Sequence, residues 1–524
     1  MKMVLKSYRW LIILLGGFIL CWPKVSEGQK NDYVWVSGYD SWAPNDSATY
    51  GFRFGNDKMD FNYEPVNIMA DSLSMNFDFT NTSFCDNDGK LLLYTNGIYV
   101  ANSNDGLIEN GDSLNAGWLQ YVWDTNITDM GYRNHQGIIA LQDISNQNRV
   151  YLIYSFSDSL PGSDQTIVYT SKILTALVDM SENNGKGKVI YKNNVLVEGN
   201  LGSELTATKS SNGIDWWLLV QIRNTNCYYR VLVDSSGPHV LPDSICLGSS
   251  VSYNNSASVA FSPDGSKFAH FSIIEGLNIY DFNRCSGQLS NPVYIPMNIW
   301  AASYWLGNGV AFSPNSRFLY LSATEMLLQY DMQASDIPSS VDTVGIYDGW
   351  YLPNNPIFGS RFATAQLAPD GKIYISCGTS LPVYNVINNP DEKGNGCNFM
   401  QHSIALPRLS NGVPNFPNYR LGPSQCDSLS ALSDDLLAAK EKILKVFPNP
   451  AIDYAVIDYG FTDWNKGKIS LQISNELGQV VYTQALPMYS GFQKINVAQF
   501  AGGVYTVSII RGTGVVATGK LVRE

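Results

Sequence analysis

The feature that most constrains the fold of this 524-residue chain is a strand–turn–strand unit that recurs at nearly even spacing. The three clearest copies are Val259–Ser272, Val310–Ser322 and Ala365–Ser376. Their prolines, Pro263, Pro314 and Pro369, stand 51 and 55 residues apart. Proline presets φ for the first turn position, and the residues after it supply the short side chain and permissive backbone that the turn needs. One such sheet cannot bury its own faces, whereas sheets stacked around an axis can.

Weaker copies of the unit extend the pattern toward the N-terminus. They are Leu205–Gln221, Gly137–Ser155 and Phe84–Tyr94. The leftover segment Asp32–Tyr63 either completes a seventh sheet or pairs with strands near Asn415–Leu421, and such closure removes an exposed sheet edge. We therefore expect an all-β fold, with a six- to seven-bladed β-propeller over residues 30–425. An array of β-sandwiches is the competing architecture.

The composition agrees with an all-β body. Aromatic residues make up 12% of the chain, charged residues only 15%, and there are 44 glycines, which is typical of strands joined by tight turns. The propeller units resemble WD40-like (PD40 or TolB-like) repeats. The phrases Asp88–Gly97 and Tyr280–Cys285 are similar to those of large propellers in secreted proteins of the Bacteroidetes. The Trp-Asp and Gly-His signatures of eukaryotic WD40 proteins are missing, so the partners of that family are not implied.

The N-terminus has the three zones of a secretory signal peptide. Lys2, Lys6 and Arg9 are basic, Trp10–Leu20 is an apolar run, and small residues at Ser26 and Gly28 predict cleavage before Gln29. The alternatives are a membrane anchor, for which the run is about half the ~20 residues needed, and a lipoprotein. Cys21 raises the second alternative, but Leu20 stands where a small residue is required. We expect residues 1–28 to be a signal peptide and no transmembrane span in the remainder.

The charge balance bears on partners. Loss of residues 1–28 removes four basic residues and one acidic residue from totals of 34 and 46, which leaves a net charge near −15. Because such a body repels the phosphate backbone, nucleic acid is not an expected partner.

The C-terminal segment has the pattern of a small, Ig-like antiparallel β-sandwich. Residues 426–444 are expected to form a linker that contains a short helical stretch, Leu432–Lys445. After it, Ile469, Leu471 and Ile473 alternate with polar residues as in a half-buried strand. About seven short strands separated by glycine turns suit a small sandwich.

Residues 445–524 closely resemble the type A C-terminal sorting domain of the type IX secretion system. The residues that carry the likeness are Pro448, Asn449, Pro450, Gly478, Gly503, Tyr505 and Lys520. The resemblance implies passage through the periplasm to the outer-membrane cell surface or the medium. It also implies that the translocon and a sortase are partners, with the body released or attached to surface lipopolysaccharide. A cohesive adhesion or carbohydrate module is the alternative.

Seven cysteines follow the predicted signal, and no two have a CxxC spacing, so no zinc or redox motif is present. An odd number leaves at least one cysteine free. Cys227 and Cys246 could lie on neighbouring strands, but sequence alone does not give the connectivity. We expect most of the seven to be buried as small apolar residues.

The sequence contains no GxSxG, HExxH, P-loop or GxGxxG motif, and it predicts no catalytic residue, cofactor or metal site. The candidates for the mouth of the central channel are His135, His402, Glu204, Arg223 and Arg361. We expect an exported binding or scaffolding protein with an unknown glycan or protein ligand. The alternatives are an extracellular hydrolase or lyase that uses dispersed carboxylates at the mouth, and a structural envelope component.

Overall fold

The computed structural model describes residues 29–524 except for eleven gaps: 41–52, 118, 121–130, 160–167, 252–256, 298–307, 353–354, 427–442, 461–468, 487–489 and 513. The predicted signal peptide lies outside the described residues. The first sheet consists of β1 (Val34–Tyr39), β2 (Gly55–Asp60) and β3 (Asn67–Asp71).

Six further sheets follow along the chain, and we number them blades 1 to 6. Blade 1 comprises β4 (Thr82–Cys85), β5 (Leu91–Thr95) and β6 (Val100–Asn102). Blade 2 comprises β7 (Ile138–Gln142), β8 (Arg149–Ser159), β9 (Val168–Asp179) and β10 (Lys188–Leu201). Blade 3 comprises β11 (Ala207–Lys209), β12 (Trp216–Ile222), β13 (Thr225–Asp234) and β14 (Gly237–Val251). Blade 4 comprises β15 (Ser258–Phe261), β16 (Lys267–Ser272), β17 (Gly276–Asn283) and β18 (Gln288–Ile295).

Blade 5 comprises β19 (Gly309–Phe312), β20 (Phe318–Ala323), β21 (Met326–Asp331) and β22 (Asp342–Ile346). A hairpin of β23 (Tyr351–Leu352) and β24 (Asn355–Gly359) precedes blade 6. Blade 6 comprises β25 (Ala365–Leu367), β26 (Ile373–Ile375), β27 (Leu381–Ile387) and β28 (Phe399–Ser410). Short helical turns occur at Glu182–Gly185, Pro338–Ser340 and Gly394–Cys397.

Within each blade the strands are antiparallel and adjacent in chain order, and one pair, Leu201 with Ile222, also joins the sheets of blades 2 and 3. The first strands lie side by side around a central channel: β4 beside β7, β11 beside β15, β15 beside β19, and β19 beside β25. Each first strand starts at what we call the entry side of the channel. It ends at the turn side, where the Pro-containing turns lie.

The sheet β1–β2–β3 is a seventh blade, because its strand β1 is buried on both faces between blades 6 and 1. Val34 and Val36 on one face pack with Cys85 and Tyr94 of blade 1. On the other face, the ring of Trp35 lies 5.7 Å from that of Tyr374 in blade 6. The alternation of β1 therefore supplies an apolar side chain to each neighbouring blade.

The innermost place of blade 7 is taken by residues 411–421, which we call the closing segment. The Tyr384 hydroxyl donates to the carbonyl of Gly412 at 2.8 Å and to Ser37 Oγ at 3.4 Å, which brings residue 412 close to the end of β1. Phe416 stacks on Trp35 with centroids 5.8 Å apart, and Arg420 pairs with Asp32, just before β1. The segment thus runs antiparallel to β1, so both predicted forms of closure occur together. The all-β propeller prediction is confirmed.

The C-terminal domain is a sandwich of two antiparallel sheets. One contains β29 (Ile443–Phe447), β30 (Tyr454–Gly460) and β33 (Ser490–Asn496). The other has the order β32 (Val480–Leu486), β31 (Ile469–Asn475), β34 (Gly503–Arg511) and β35 (Gly514–Arg523). The predicted helix Leu432–Lys445 is wrong at its end, since residues 443–445 belong to β29, whose backbone pairs with β30. The rest of it lies outside the described residues.

Four of the seven cysteines form disulfides, so the expectation that most would be unpaired core residues is wrong. Cys227 and Cys246 join β13 to β14, and Cys285 joins the turn after β17 to Cys426, just beyond the closing segment. Cys85, Cys377 and Cys397 are free and buried. The second disulfide holds the end of the closing segment against blade 4.

The two disulfides are expected to stabilise the propeller unequally. A disulfide lowers the entropy of the unfolded chain more when the loop that it closes is longer. The Cys285–Cys426 disulfide joins residues 141 positions apart, and the Cys227–Cys246 disulfide joins residues 19 positions apart. Replacing Cys285 by Ser should therefore lower the free energy of unfolding by about 2 kcal/mol more than replacing Cys227 by Ser. Urea unfolding followed by tryptophan fluorescence measures both variants. Equal losses would show that ring closure gains nothing from the longer loop.

Candidate functional site

A cavity of about 260 Å³ lies in the central channel beside the closing segment. Blades 3 to 6 form one wall with small or apolar residues, among them Val259, Ala260, Val310, Ala311 and Ala365. The opposite wall is the closing segment, from Phe416 to Arg420. The cavity reaches the turn side of the channel at three partly exposed prolines, Pro263, Pro314 and Pro369. It is a preformed concave site of the kind that binds small groups.

The closing segment crosses the channel from one side to the other. The Asn415 side chain donates to the carbonyls of Ile138 and Leu205, each at 2.9 Å, near the entry side. The Asn418 side chain donates to the carbonyl of Pro263 at 2.8 Å, at the turn side. These bonds fix the wall of the cavity to blades 2, 3 and 4.

Among the described residues that line the cavity, Asp32 and Arg420 form an ion pair. The guanidinium donates through both Nη atoms to the two carboxylate oxygens, at 2.6 and 2.9 Å, and Asp32 is 1% exposed. Two parallel charge-assisted bonds use up the acceptor face of the carboxylate. Neither group is left as an unpaired charge for a ligand.

The amides that line the cavity are also bonded within the protein. Gln136 exchanges two hydrogen bonds with the backbone of Val259, at 2.8 and 3.0 Å. Gln366 accepts from the backbone N–H of Phe416 at 3.3 Å. The side-chain amides are therefore already paired, and the surface of the walls is about equally polar and apolar.

His135 and Glu204 lie together on the entry side. His135 is buried, its ring stacks on Phe79 at 4.0 Å, and burial lowers its pKa to about 4. Burial raises the pKa of Glu204 to about 7, while Arg223 and a 3.0 Å bond from Ser203 act in the opposite direction. A backbone bond from Leu205 to Gln136 connects the two loops at 3.0 Å.

Arg361 and His402 lie elsewhere, between blades 5 and 6. Arg361 pairs with Glu325 at 3.1 Å, and its guanidinium lies 5.1 Å from the centre of the Tyr347 ring. His402 Nε2 is 2.9 Å from Asp348, and its ring stacks on Trp350 at 5.0 Å. The five predicted channel-mouth residues therefore form two separate groups, and none of them lines the cavity. Their role in ligand binding stays a prediction.

Among the lining residues that the sequence did not single out are Asp32, Gln136 and Arg420. Asp32 and Arg420 are 388 positions apart, so no local motif joins them. The usable signal was the predicted closure of the ring near Asn415–Leu421, which placed the two segments side by side without naming the pair. Among the described residues, no group of three His, Cys, Asp or Glu side chains could hold a metal ion.

The C-terminal motif residues hold the sandwich together. Asn449 donates to the carbonyl of Lys520 at 2.7 Å and accepts from the N–H of Val522 at 2.8 Å, which ties the Pro448–Pro450 turn to β35. Gly478 has φ of 77° in a turn that a side chain would strain, and the Tyr505 hydroxyl donates to Ala501 at 2.7 Å. Gly503 begins β34.

Residues 445–524 match the family model described as the secretion system C-terminal sorting domain. The chain carries a type IX sorting domain. It is therefore cargo of that secretion system, exported to the cell surface or released, with a propeller as its body. No helix among the described residues is long and apolar enough to cross a membrane.

No curated protein is similar enough to this chain to count as a match. Among solved structures, a putative 6-phosphogluconolactonase from Bacteroides fragilis is 11% identical with a TM-score of 0.34, covering 64% of this chain and 95% of its own. The Dos1 propeller is 11% identical with a TM-score of 0.34, and the match covers 62% of this chain and 83% of the Dos1 chain. AztD from Citrobacter koseri is 11% identical with a TM-score of 0.32, and the match covers 68% of this chain and 83% of the AztD chain. Likenesses this distant carry no argument about function, and the propeller fold rests on the seven sheets themselves.

The buried Glu204 should make stability depend on pH. Its folded pKa of about 7 lies above its ordinary value of 4.5, so the folded state binds the extra proton between those values. Stability should therefore fall as pH rises through this window. Glu204→Gln keeps the shape of the neutral carboxyl group and removes the free-energy cost of burying its ionised form. That cost reaches about 3 kcal/mol at pH values above the window.

The measurement is urea unfolding of the wild type and Glu204→Gln at about pH 4.5 and about pH 8. The two proteins should be equally stable at the lower pH, and the variant more stable at the higher one. Taking the difference between them cancels the contributions of His135 and His270. A difference that is the same at both pH values would contradict a raised Glu204 pKa.

Proposed function

We propose that the propeller is a binding module, displayed at the cell surface or secreted, and that the channel cavity receives an uncharged, largely apolar group of a protein ligand. The observation that supports this most directly is the lining of the cavity. Its ionic pair and the amides of Gln136 and Gln366 are bonded internally, and the remaining wall combines apolar side chains with the uncharged polar residues Thr206, Thr208 and Ser262. A charged group would lose its hydration there without gaining a partner.

The size of the cavity also supports a side chain as the occupant. About 260 Å³ is less than the usual range for drug-sized ligands, which starts near ~300 Å³. An aliphatic or aromatic side chain at the tip of a partner loop would fit and would bury its surface at about 25 cal/mol per Å². A neutral glycan is less suited, since its hydroxyls need hydrogen-bond partners that the saturated amides do not offer.

The hydrolase alternative finds one carboxylate in the cavity lining, Asp32, and that group is held by Arg420. Glycoside hydrolysis needs two carboxyl groups about 5–10 Å apart. The binding function is therefore the better supported of the two. Attachment to surface lipopolysaccharide stays a prediction.

Filling the cavity should weaken ligand binding. Ala260→Trp places a large side chain in the lining, whereas Ile274→Trp changes a residue that is 48% exposed outside it. Peptide arrays probed with the secreted protein should show binding to peptides with exposed apolar side chains. The first variant should weaken it at least about tenfold, the equivalent of ~1.4 kcal/mol, and the second should leave it unchanged.

Thermal unfolding of both variants checks that the propeller still folds, and Ala365→Leu offers a milder change in the same wall. Neutral glycan arrays and ester, lactone and glycoside substrates serve as parallel probes. Selective glycan binding or rapid turnover of a substrate would refute an apolar protein ligand, and so would full peptide binding by Ala260→Trp.

Export should depend on the sorting domain and not on the propeller. Deletion of residues 446–524 removes the sandwich but leaves the closing segment and Cys426 in place. The truncated chain should therefore fold and accumulate in the periplasm, as measured by cell fractionation and immunoblotting. Ala260→Trp in the full chain is the matched control and should reach the surface normally. Surface delivery of the truncated chain would contradict the assignment.

A further inference from the structure

The sorting domain has one sheet edge that is built differently from the others. Strand β32 has a neighbour on one side only, β31, among the described strands. A strand edge of this kind presents unpaired backbone N–H and C=O groups to its surroundings. In monomeric proteins such edges are blunted by charges, prolines, bulges or a covering segment.

The other edges of the sandwich are blunted in these ways. On one flank, β35 lies against β29, and the bridge between Ala451 and Arg523 and the bonds of Asn449 cover its end. Strand β33 carries a lysine, Lys494, whose ammonium lies 4.1 Å from the centre of the Tyr454 ring. Charge or contact therefore protects each of these strands from further pairing.

Strand β32 has no charge, no proline and no covering strand among the described residues. Its one irregularity is a register shift at Val481, where its pairing with β31 passes from Tyr482 to Val480. Its sequence, Val-Val-Tyr-Thr-Gln-Ala-Leu, contains no charged residue and no proline. Its apolar residues Val480 and Val481 are 50% and 42% exposed, and Leu477 in the preceding turn is 84% exposed. An exposed, uncharged and apolar edge strand is a template for strand addition.

We propose that β32 is the docking edge of the sorting domain, where an extended, apolar strand of the export machinery adds to the sheet. The domain is the part of the chain by which that machinery selects it, so the partner at its unprotected edge is a component of the machinery. Backbone bonds to β32 supply affinity, and Leu477, Val480 and Val481 supply an apolar strip for alternate side chains of the incoming strand. This inference does not depend on what the propeller binds.

The test places a charge on the edge. Val481→Lys introduces an ammonium beside the incoming strand, and Val515→Lys is the control, because Val515 is 59% exposed on β35 of the same domain. Val481→Ile keeps the apolar character. In the native host, the first variant should reduce the exported fraction by about tenfold, the effect of losing one or two net hydrogen bonds. The control and Val481→Ile should export normally.

Two further measurements distinguish a loss of docking from misfolding and identify the partner at the edge. Thermal unfolding of the periplasmic Val481→Lys protein should match that of the wild type, because the side chain is exposed; a lost sandwich transition would attribute the defect to misfolding and overturn the proposal. A photo-crosslinker at residue 481, and not at 515, should capture a component of the secretion system. Crosslinks between two copies of this chain, or normal export of Val481→Lys, would also overturn it.

Discussion

Closure of the ring by residues 411–421 is the constraint on which the rest of the propeller depends. The segment fills the innermost place of blade 7, and its Arg420 meets Asp32 across 388 positions of chain. Blade 7 is incomplete until this contact forms. The chain therefore loses the entropy of closing a loop that spans almost the whole propeller before the contacts of blade 7 can stabilise it. The buried pair is suited to fixing this register, because a shifted segment would leave both charges without a partner. The Cys285–Cys426 disulfide then holds the end of the segment.

The closing segment also decides what the channel can do. The segment forms one side of the channel, and a cavity of about 260 Å³ lies between it and the first strands of blades 3 to 6. Asn415 and Asn418 bond to backbone carbonyls of three blades, so this wall cannot move without breaking several buried hydrogen bonds. The same residues therefore close the fold and shape the site, and a change made to alter the site is expected to cost stability as well.

The sequence predicted those parts of the fold that local patterns encode. Proline–Asp–Gly turns and alternating strands are local, so the repeat, the all-β class and the place of ring closure could be derived from it. Long-range partners could not, because nothing near Cys285 points to Cys426 and nothing near Asp32 points to Arg420. The predicted channel-mouth residues show the same limit. His135 and Glu204 do lie near each other, since both immediately precede first strands. Arg361 lies just before β25 and His402 lies on β28, so their neighbours depend on packing between blades 5 and 6.

The sorting motif contains residues whose polar groups are bonded inside the sandwich. Asn449 uses both ends of its amide on the backbone of β35, and the Tyr505 hydroxyl is bonded to Ala501, so these groups are occupied inside the sandwich. Side chains that make these internal hydrogen bonds have few polar atoms left to bind a partner. Their identity is explained by the fold, which is why their order along the chain is a reliable mark of the domain. What another protein can contact is the surface that these bonds hold in shape, and that surface includes exposed positions outside the motif, such as Val480 and Val481.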